Sequence, residues 1–350
     1  MVSRNKVLKR VLVVGQGSIG LRHLQNIRKI MPKADICVLR HQSSRDLSGL
    51  SVRVLDTIEE AQKFGPQVAI IANPAPFHLQ ISDLLIRQGC HILIEKPLSI
   101  GTAGVVDFLK EVKERGLICQ VGYNLRFVPS LQRFRELLCN GVIGRIMSVR
   151  SEVGQHLPSW RPENDYRKSV SARRELGGGV LLELSHEIDY LYWIFGAIEW
   201  VNATLSRQSS LEIDVEDTAH LTIGFVPDSG GYQLIASVNM DFIRHDNTRL
   251  CTAIGERGSL RWDGLKGEVE LFEAGAKVWR SLFSDPHQRD ESYLAEWRNF
   301  IENISENKLP LVSGEDGLRV LEIIDAARQS AESGGRARVA TAINVSRFKP

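Results

Sequence analysis

Val11-Leu12-Val13-Val14-Gly15-Gln16-Gly17-Ser18-Ile19-Gly20 is the stretch on which the fold turns. Four apolar, mostly β-branched residues suit a strand buried on both faces of a parallel sheet. Three glycines follow at G-x-G-x-x-G spacing, and residues 21–30 read as a helix. In a strand–turn–helix setting this spacing marks a dinucleotide site. The first glycine permits a tight turn, the second lets backbone approach a pyrophosphate, and the third lets helix pack on strand. The helix N-terminus adds free N–H groups and a partial positive charge. Gly15, Gln16, Gly17, Ser18, Ile19 and Gly20 are therefore the expected cofactor contacts.

Working outward, short apolar runs alternate with helical patterns up to about residue 120. Strands are expected at 36–39, 52–55, 68–72, 91–94 and 118–121, with helices at 78–88 and 102–116 and a short one capped by Asp56 or Thr57. Such alternation predicts a doubly wound parallel sheet, with ligands at the carboxyl ends of its strands. After Tyr123 the pattern changes. Helices are expected at 129–140 and 180–195, then antiparallel strands between about 200 and 272, then helices at 288–305 and 314–333. The fold class is α/β: a Rossmann domain over 1–122 and an α+β domain over 123–350, with the helix at 314–333 packing back toward the first.

The bulk numbers narrow the partners. The 350 residues are 43% hydrophobic and 25% charged, and 44 basic against 42 acidic residues leave a net charge of +2. That balance carries no footprint for nucleic acid or an anionic membrane. No apolar run reaches the roughly 18–20 residues of a membrane span, and 11–14 is too short for a signal-peptide core. Five scattered cysteines form no metal motif, so no metal is expected; they read as buried thiols in a reducing cytoplasm.

The strand ends carry the chemistry. After the second strand, Arg40-His41-Gln42-Ser43-Ser44-Arg45 stands where an acidic residue would bind the ribose 2′-hydroxyl of NAD. Arg40, His41 and Ser43 suit a 2′-phosphate instead, which favours NADP over NAD; a solvated basic loop in an enzyme using NAD or both is the other reading. Glu95-Lys96-Pro97 follows the fifth strand and places a lysine where it can act as general acid or base. Gly177-Gly178-Gly179 opens a helix on which Glu183, His186 and Asp189 share a face. A histidine oriented by a carboxylate can deprotonate a hydroxyl as hydride leaves.

Together, Gly15 to Gly20, Asn73-Pro74 with His78, Glu95-Lys96-Pro97, Gly122-Tyr123-Asn124, Gly177 to His186 with Asp189, and Gly314 to Gly317 resemble the glucose–fructose oxidoreductase/inositol dehydrogenase/MocA (Gfo/Idh/MocA) family over essentially the whole chain. The resemblance implies a second domain with an open, mostly antiparallel sheet, assembly of copies into a homodimer or homotetramer through that sheet, and hydride transfer between NAD(P) and a sugar or cyclitol. It implies Lys96 and His186 as the catalytic pair. Asn73, Pro74, His78 and Glu95 belong to the cofactor site, and Tyr123 and Asn124 to the substrate pocket. One departure matters: Leu182 occupies the position of the family's usual aspartate, and Glu183 stands one residue later.

Residues 156–175 resemble, more loosely, a subgroup from bacterial surface-polysaccharide and nonulosonate gene sets. Trp160 and Tyr166 offer flat faces to a sugar, and Arg161, Arg167, Arg173 and Arg174 offer forks to an anion. An anionic sugar, sugar acid or nucleotide-sugar is one expectation; subunit contact by the same arginines is the other. A redox-neutral epimerase or eliminase, and a non-catalytic ligand sensor, remain alternatives on this fold.

Overall fold

The computed structural model describes residues 8–40, 47–286 and 289–340. The chain divides into two compact units: Met1–Asn124 with Arg289–Leu318, and Leu125–Gln288 with Arg319–Pro350.

The first unit is built on β1 (Arg10–Val14), α1 (Ser18–Ile30), β2 (Asp35–Leu39), β3 (Arg53–Leu55), α2 (Ile58–Phe64), β4 (Val68–Ile71), α3 (His78–Ile86), β5 (His91–Ile94), α4 (Val105–Glu114) and β6 (Cys119–Val121). Its six strands are all parallel, in the order β3-β2-β1-β4-β5-β6. The side-to-side order reverses between β1 and β4, the switch point where open parallel sheets bind ligands. The register makes the carboxyl ends flush. Val14 pairs with Leu39 and Ile71, Ile71 with Ile94, and Ile94 with Val121. Gly15, Arg40, Ala72, Glu95 and Gly122 therefore stand in one row along a single sheet edge.

Local chemistry explains the helix ends. Thr57 caps α2 by accepting from the Glu60 N–H at 3.2 Å. Gly65 closes that helix in the left-handed conformation, at φ 62°. The apolar faces of β1, β2 and β4, with Leu24 and Ile27 of α1, form a core that also takes in Trp297 and Phe300. These two residues arrive from far along the chain.

The second unit begins with α5 (Pro129–Cys139), β7 (Ile146–Gly154), α6 (Val180–Glu183) and α7 (His186–Phe195). It continues through β8 (Ile198–Ser206), β9 (Thr218–Phe225), β10 (Ile235–Asp241), β11 (Thr248–Gly255), β12 (Gly258–Asp263), β13 (Glu268–Glu273) and β14 (Arg280–Ser284). These strands and the short β15 (Ala337–Arg338) form a nine-stranded sheet in the order β14-β13-β12-β11-β7-β10-β9-β8-β15. Only β7 and β10 pair in parallel, so the sheet is mostly antiparallel, as expected. Alternation in the middle of its strands sorts its faces. Val149, Leu221, Val238, Cys251 and Trp262 are buried, while Arg150, His220, Thr222 and Asn239 face solvent. Trp262 is anchored by its indole N–H, which donates to Ser130 Oγ at 3.0 Å.

Two long helices follow β14, α8 (Arg289–Glu306) and α9 (Gly314–Ser333). The start of α9 is a reciprocal cap. Asp316 Oδ2 accepts from the Ser313 N–H at 2.8 Å, and the Asp316 N–H donates to Ser313 Oγ at 3.2 Å. All five cysteines are free; four are buried, but Cys139 is exposed at the end of α5, contrary to the expectation of five buried thiols. Among the described residues no helix is long and apolar enough to cross a membrane.

Candidate functional site

The glycine turn after β1 is shaped by three different constraints. Gly15 adopts φ 102°, and a Cβ there would lie 2.7 Å from the Ala72 carbonyl oxygen. A Cβ on Gly20 would lie 2.2 Å from the Gly15 carbonyl oxygen, so helix and turn are in direct backbone contact. Gly17 is the opposite case: nothing lies within 4 Å of its Cβ position. It is exposed, as is Ser18, and it caps α1 with extended backbone, so the first N–H groups of the helix open onto clear space. Beside them, Gln16 is only 7% exposed, and neither atom of its amide has a hydrogen-bond partner; Asn73 Oδ1 has none either. An open phosphate cradle flanked by orphaned polar atoms fits a dinucleotide.

Arg40, at the end of β2, is not a free fork. Its Nε donates to Asp56 Oδ1 at 2.5 Å, and the Asp56 carboxylate raises the guanidinium pKa further. An acidic residue thus reaches this sheet end from beyond β3, a link that sequence order hides. His41 and Ser43 lie outside the described residues.

His78 is 1% exposed and has both ring nitrogens against backbone, Nδ1 at 3.0 Å from the Pro97 oxygen and Nε2 at 2.7 Å from the Asn73 oxygen. Burial pushes its pKa down. It is expected as a cofactor contact; the structure sets it between the turn after β4 and the turn after β5, where a neutral ring donates to one of the two carbonyls. The Lys96–Pro97 peptide is cis. Lys96 is half-buried and Glu95 buried. Gly122 permits this packing, since a Cβ there would come within 3.0 Å of Glu95 Oε2. Tyr123 is fully buried, and the Asn124 amide donates to Ser292 Oγ at 2.9 Å.

In the second unit the glycine run at 177–179 has a different occupant. A Cβ on Gly179 would lie 2.4 Å from Glu216 Oε1, and that carboxylate accepts from the Leu181 N–H at 3.1 Å. Glu216 thus caps α6 from another segment. The expected single helix over 180–195 is two. After α6 the backbone tightens, the Ser185 N–H meeting the Leu182 oxygen at 3.4 Å and the Glu187 N–H the Leu184 oxygen at 3.2 Å. Glu183 therefore ends one helix and His186 starts the next, so they do not share a continuous helix face. Both are half-buried.

Asp189, expected to meet substrate, is fully buried. Arg126 holds it with Nη2–Oδ1 at 2.6 Å and Nε–Oδ2 at 3.0 Å. Neighbouring Glu187, also fully buried, pairs with Arg249 Nε at 2.8 Å. Arg126, Arg249 and Glu216 are supports that sequence reading did not single out. Their partners are distant in the chain, and isolated Arg or Glu residues carry no local signal.

The loop over 156–175 is largely self-satisfied. Trp160 donates to the Gln155 oxygen at 3.1 Å and stacks edge-on to Phe242 at 5.3 Å. Tyr166 Oη accepts from the Glu212 N–H at 3.2 Å. Arg167 is gripped by Asp165 at 2.8 Å and by Glu212 at 3.1 Å, which raises its pKa. Arg173 donates to the Arg167 oxygen at 2.6 Å, and Arg174 to the Asp214 oxygen at 3.0 Å; Arg161 is exposed. An open groove of about 560 Å³ lies here, lined by Asp165, Arg167, Lys168, Arg173, Glu212, Ile213 and Asp214. Its cations are matched by carboxylates, which removes the net positive field that an anionic ligand needs.

Comparison with known proteins agrees with this architecture. A family model described as an oxidoreductase family, NAD-binding Rossmann fold, matches residues 9–123. Its companion, the C-terminal alpha/beta domain, matches residues 135–340. The myo-inositol 2-dehydrogenase of Thermotoga maritima is 26% identical over 336 residues, covering 92% of this chain and 96% of that protein. The NADP(+)-dependent scyllo-inositol 2-dehydrogenase of Bacillus subtilis is 26% identical over 294 residues, 76% of this chain and 77% of its own. Among solved structures, a levoglucosan dehydrogenase in complex with NADH superposes with a TM-score of 0.82 at 22% identity, over 95% of this chain and 99% of that one.

Proposed function

Because the chain belongs to the Gfo/Idh/MocA oxidoreductase family, we propose that it is an NAD(P)-dependent dehydrogenase that oxidises a secondary hydroxyl of a sugar or cyclic polyol. The observation that carries this reading is the row at the carboxyl edge of the first sheet. There half-buried Lys96 follows β5 while the open Gly15–Gly20 cradle follows β1, two strands away. A bound nicotinamide would supply the hydride acceptor or donor. The chain's own work is binding and proton transfer. Gly17 and the start of α1 hold the phosphates, and Lys96 exchanges the proton of the reacting hydroxyl. His186, at the first position of α7, is the second proton-carrying group, with Glu183 in support.

Arg40 favours NADP, although its tie to Asp56 leaves only part of its fork for a phosphate. The matched charges of the 156–175 loop favour a neutral polyol or sugar over a sugar acid or nucleotide-sugar. A place in surface-carbohydrate synthesis follows only if a nucleotide-sugar is turned over. Association of copies through the polar face of the second sheet, around His220, Thr222 and Asn239, belongs to the same reading.

Nicotinamide absorbance tests it, with myo-inositol, scyllo-inositol, levoglucosan, a sugar acid and a nucleotide-sugar offered alongside NAD and NADP. A neutral polyol or sugar is the expected substrate. Lys96→Met is expected to lower kcat by about a hundredfold or more, and His186→Ala by about tenfold to a hundredfold. Near-normal turnover by Lys96→Met would sink the proposal. Turnover without net absorbance change would replace it with a redox-neutral epimerase.

A further inference from the structure

Under the Glu95–Lys96 turn, the first unit contains a line of hydrogen bonds whose direction chemistry dictates. Trp297 of α8, fully buried, sends its indole N–H to His23 Nδ1 at 3.0 Å. An indole nitrogen only donates, so Nδ1 of His23 bears a lone pair. His23 Nε2, 2.7 Å from Glu95 Oε1, then carries the ring's single proton and donates it. A second proton at Nδ1 would set two N–H groups head to head. Glu95 Oε2 receives the Lys96 backbone N–H at 3.2 Å. The contact between His23 and Glu95 is thus a hydrogen bond from a neutral ring to a carboxylate, not an ion pair.

The surrounding groups are consistent with this. Tyr293 of α8 meets His23 edge-on at 5.8 Å. Arg22 of α1 lies over the Tyr293 ring at 5.2 Å and pairs with Asp290 at 3.0 Å, which turns its charge toward α8. Glu296 of α8 is fully buried, and burial together with the Glu95 charge holds its carboxyl well above the usual range. Lys96 is the cation next in sequence.

We propose that Trp297 is a positioning residue: by fixing the tautomer of His23 it leaves Glu95 a carboxylate with no countercharge from the ring, set at the sheet edge to favour a cationic, oxidised nicotinamide over the neutral reduced one. This rests on the nicotinamide reading of that edge.

Calorimetric dissociation constants of NAD(P)+ and NAD(P)H, measured on the intact protein and on Trp297→Phe at pH 8 and pH 6, test it without turnover. In the variant, Nδ1 loses the indole N–H that holds it as an acceptor. The oxidised-to-reduced affinity ratio is expected to drop about five- to tenfold at pH 6 relative to wild type, and to stay within about twofold at pH 8. Equal ratios in both proteins at both pH values would overturn the proposal. Nitrogen NMR of labelled histidines in the wild-type protein needs no folded variant, His23 being assigned through bonds from its own backbone amide. A pyridine-like Nδ1 and a pyrrole-like Nε2 at pH 6 support the tautomer, and imidazolium-like shifts refute it. If wild type binds neither form of the cofactor, the functional reading fails, and the NMR result still decides the tautomer.

Discussion

Glu296 and Lys96 are both ionisable residues of the first unit, yet only Lys96 announces itself. Lys96 sits in a tripeptide after a strand, and its place in the chain is its signal. Glu296 sits in a helix of ordinary polar pattern, and its burial depends on a strand end some 200 residues away. Burial and the charge of Glu95 hold its carboxyl well above the usual range. A group raised in this way keeps a proton in the folded state that the unfolded chain releases. Its stabilisation is full below the ordinary carboxylate range and is lost as pH rises toward the folded value. Glu296→Gln mimics the protonated form and removes this loss. From pH 5 to pH 8 the variant's Tm is expected to gain about 2 °C or more on wild type. A gap that does not change with pH, in scanning calorimetry, would show Glu296 to be ionised in the fold. The same distance effect explains Asp189. Its spacing from His186 was legible, but its partner Arg126, which takes it out of solvent, was not.

At the scale of elements, periodicity located the strands and helices of the first sheet, because apolar residues must repeat at the spacing of the structure that buries them; in the second unit it gave a zone of strands over about 200–272, and β14 and β15 fell outside it. It missed the break between α6 and α7. Val180-Leu181-Leu182-Glu183-Leu184-Ser185-His186 keeps an unbroken helical pattern, and the tightened turn at Leu184-Ser185 has no residue type that marks it. The turn between β1 and α1, by contrast, was readable residue by residue, and its glycines have separable duties. Gly17→Ala adds a methyl group to open space. It is expected to leave Tm within about 1 °C while weakening NAD(P) binding about tenfold or more, since the methyl group intrudes where phosphates approach. Gly20→Ala drives a methyl group into the Gly15 carbonyl. It is expected to cost about 1–3 kcal/mol of stability and also to impair binding. Thermal denaturation beside calorimetric titration distinguishes the two, and equal Tm losses would erase the distinction.

For the whole molecule, a change of pattern near residue 123 was visible and the helix at 314–333 was expected to return to the first domain, but the contribution of α8 was not foreseen. Residues 289–318 belong to the first compact unit and supply Trp297 and Phe300 to its core. Losing a buried aromatic costs about 3–5 kcal/mol, and two such losses approach the whole stability of a typical domain. Residues 1–124 produced alone are therefore expected to lack a cooperative unfolding transition. Joining 289–318 to them through a flexible linker is expected to restore one, as followed by circular dichroism. Cooperative unfolding of 1–124 alone would contradict the shared core.

That arrangement also imposes a timetable during synthesis. The ribosome delivers β1 to β6 early, but the α8 segment that completes their core emerges only after residues 125–288 have been made. At about 5–20 residues per second, the interval is roughly ten to thirty seconds. Throughout it the apolar patch awaiting Trp297 and Phe300 stands open to water and to other nascent chains. The cofactor unit of this protein is thus begun before residues 125–288 and finished after them, so its yield in the cell depends on how well that patch is shielded meanwhile.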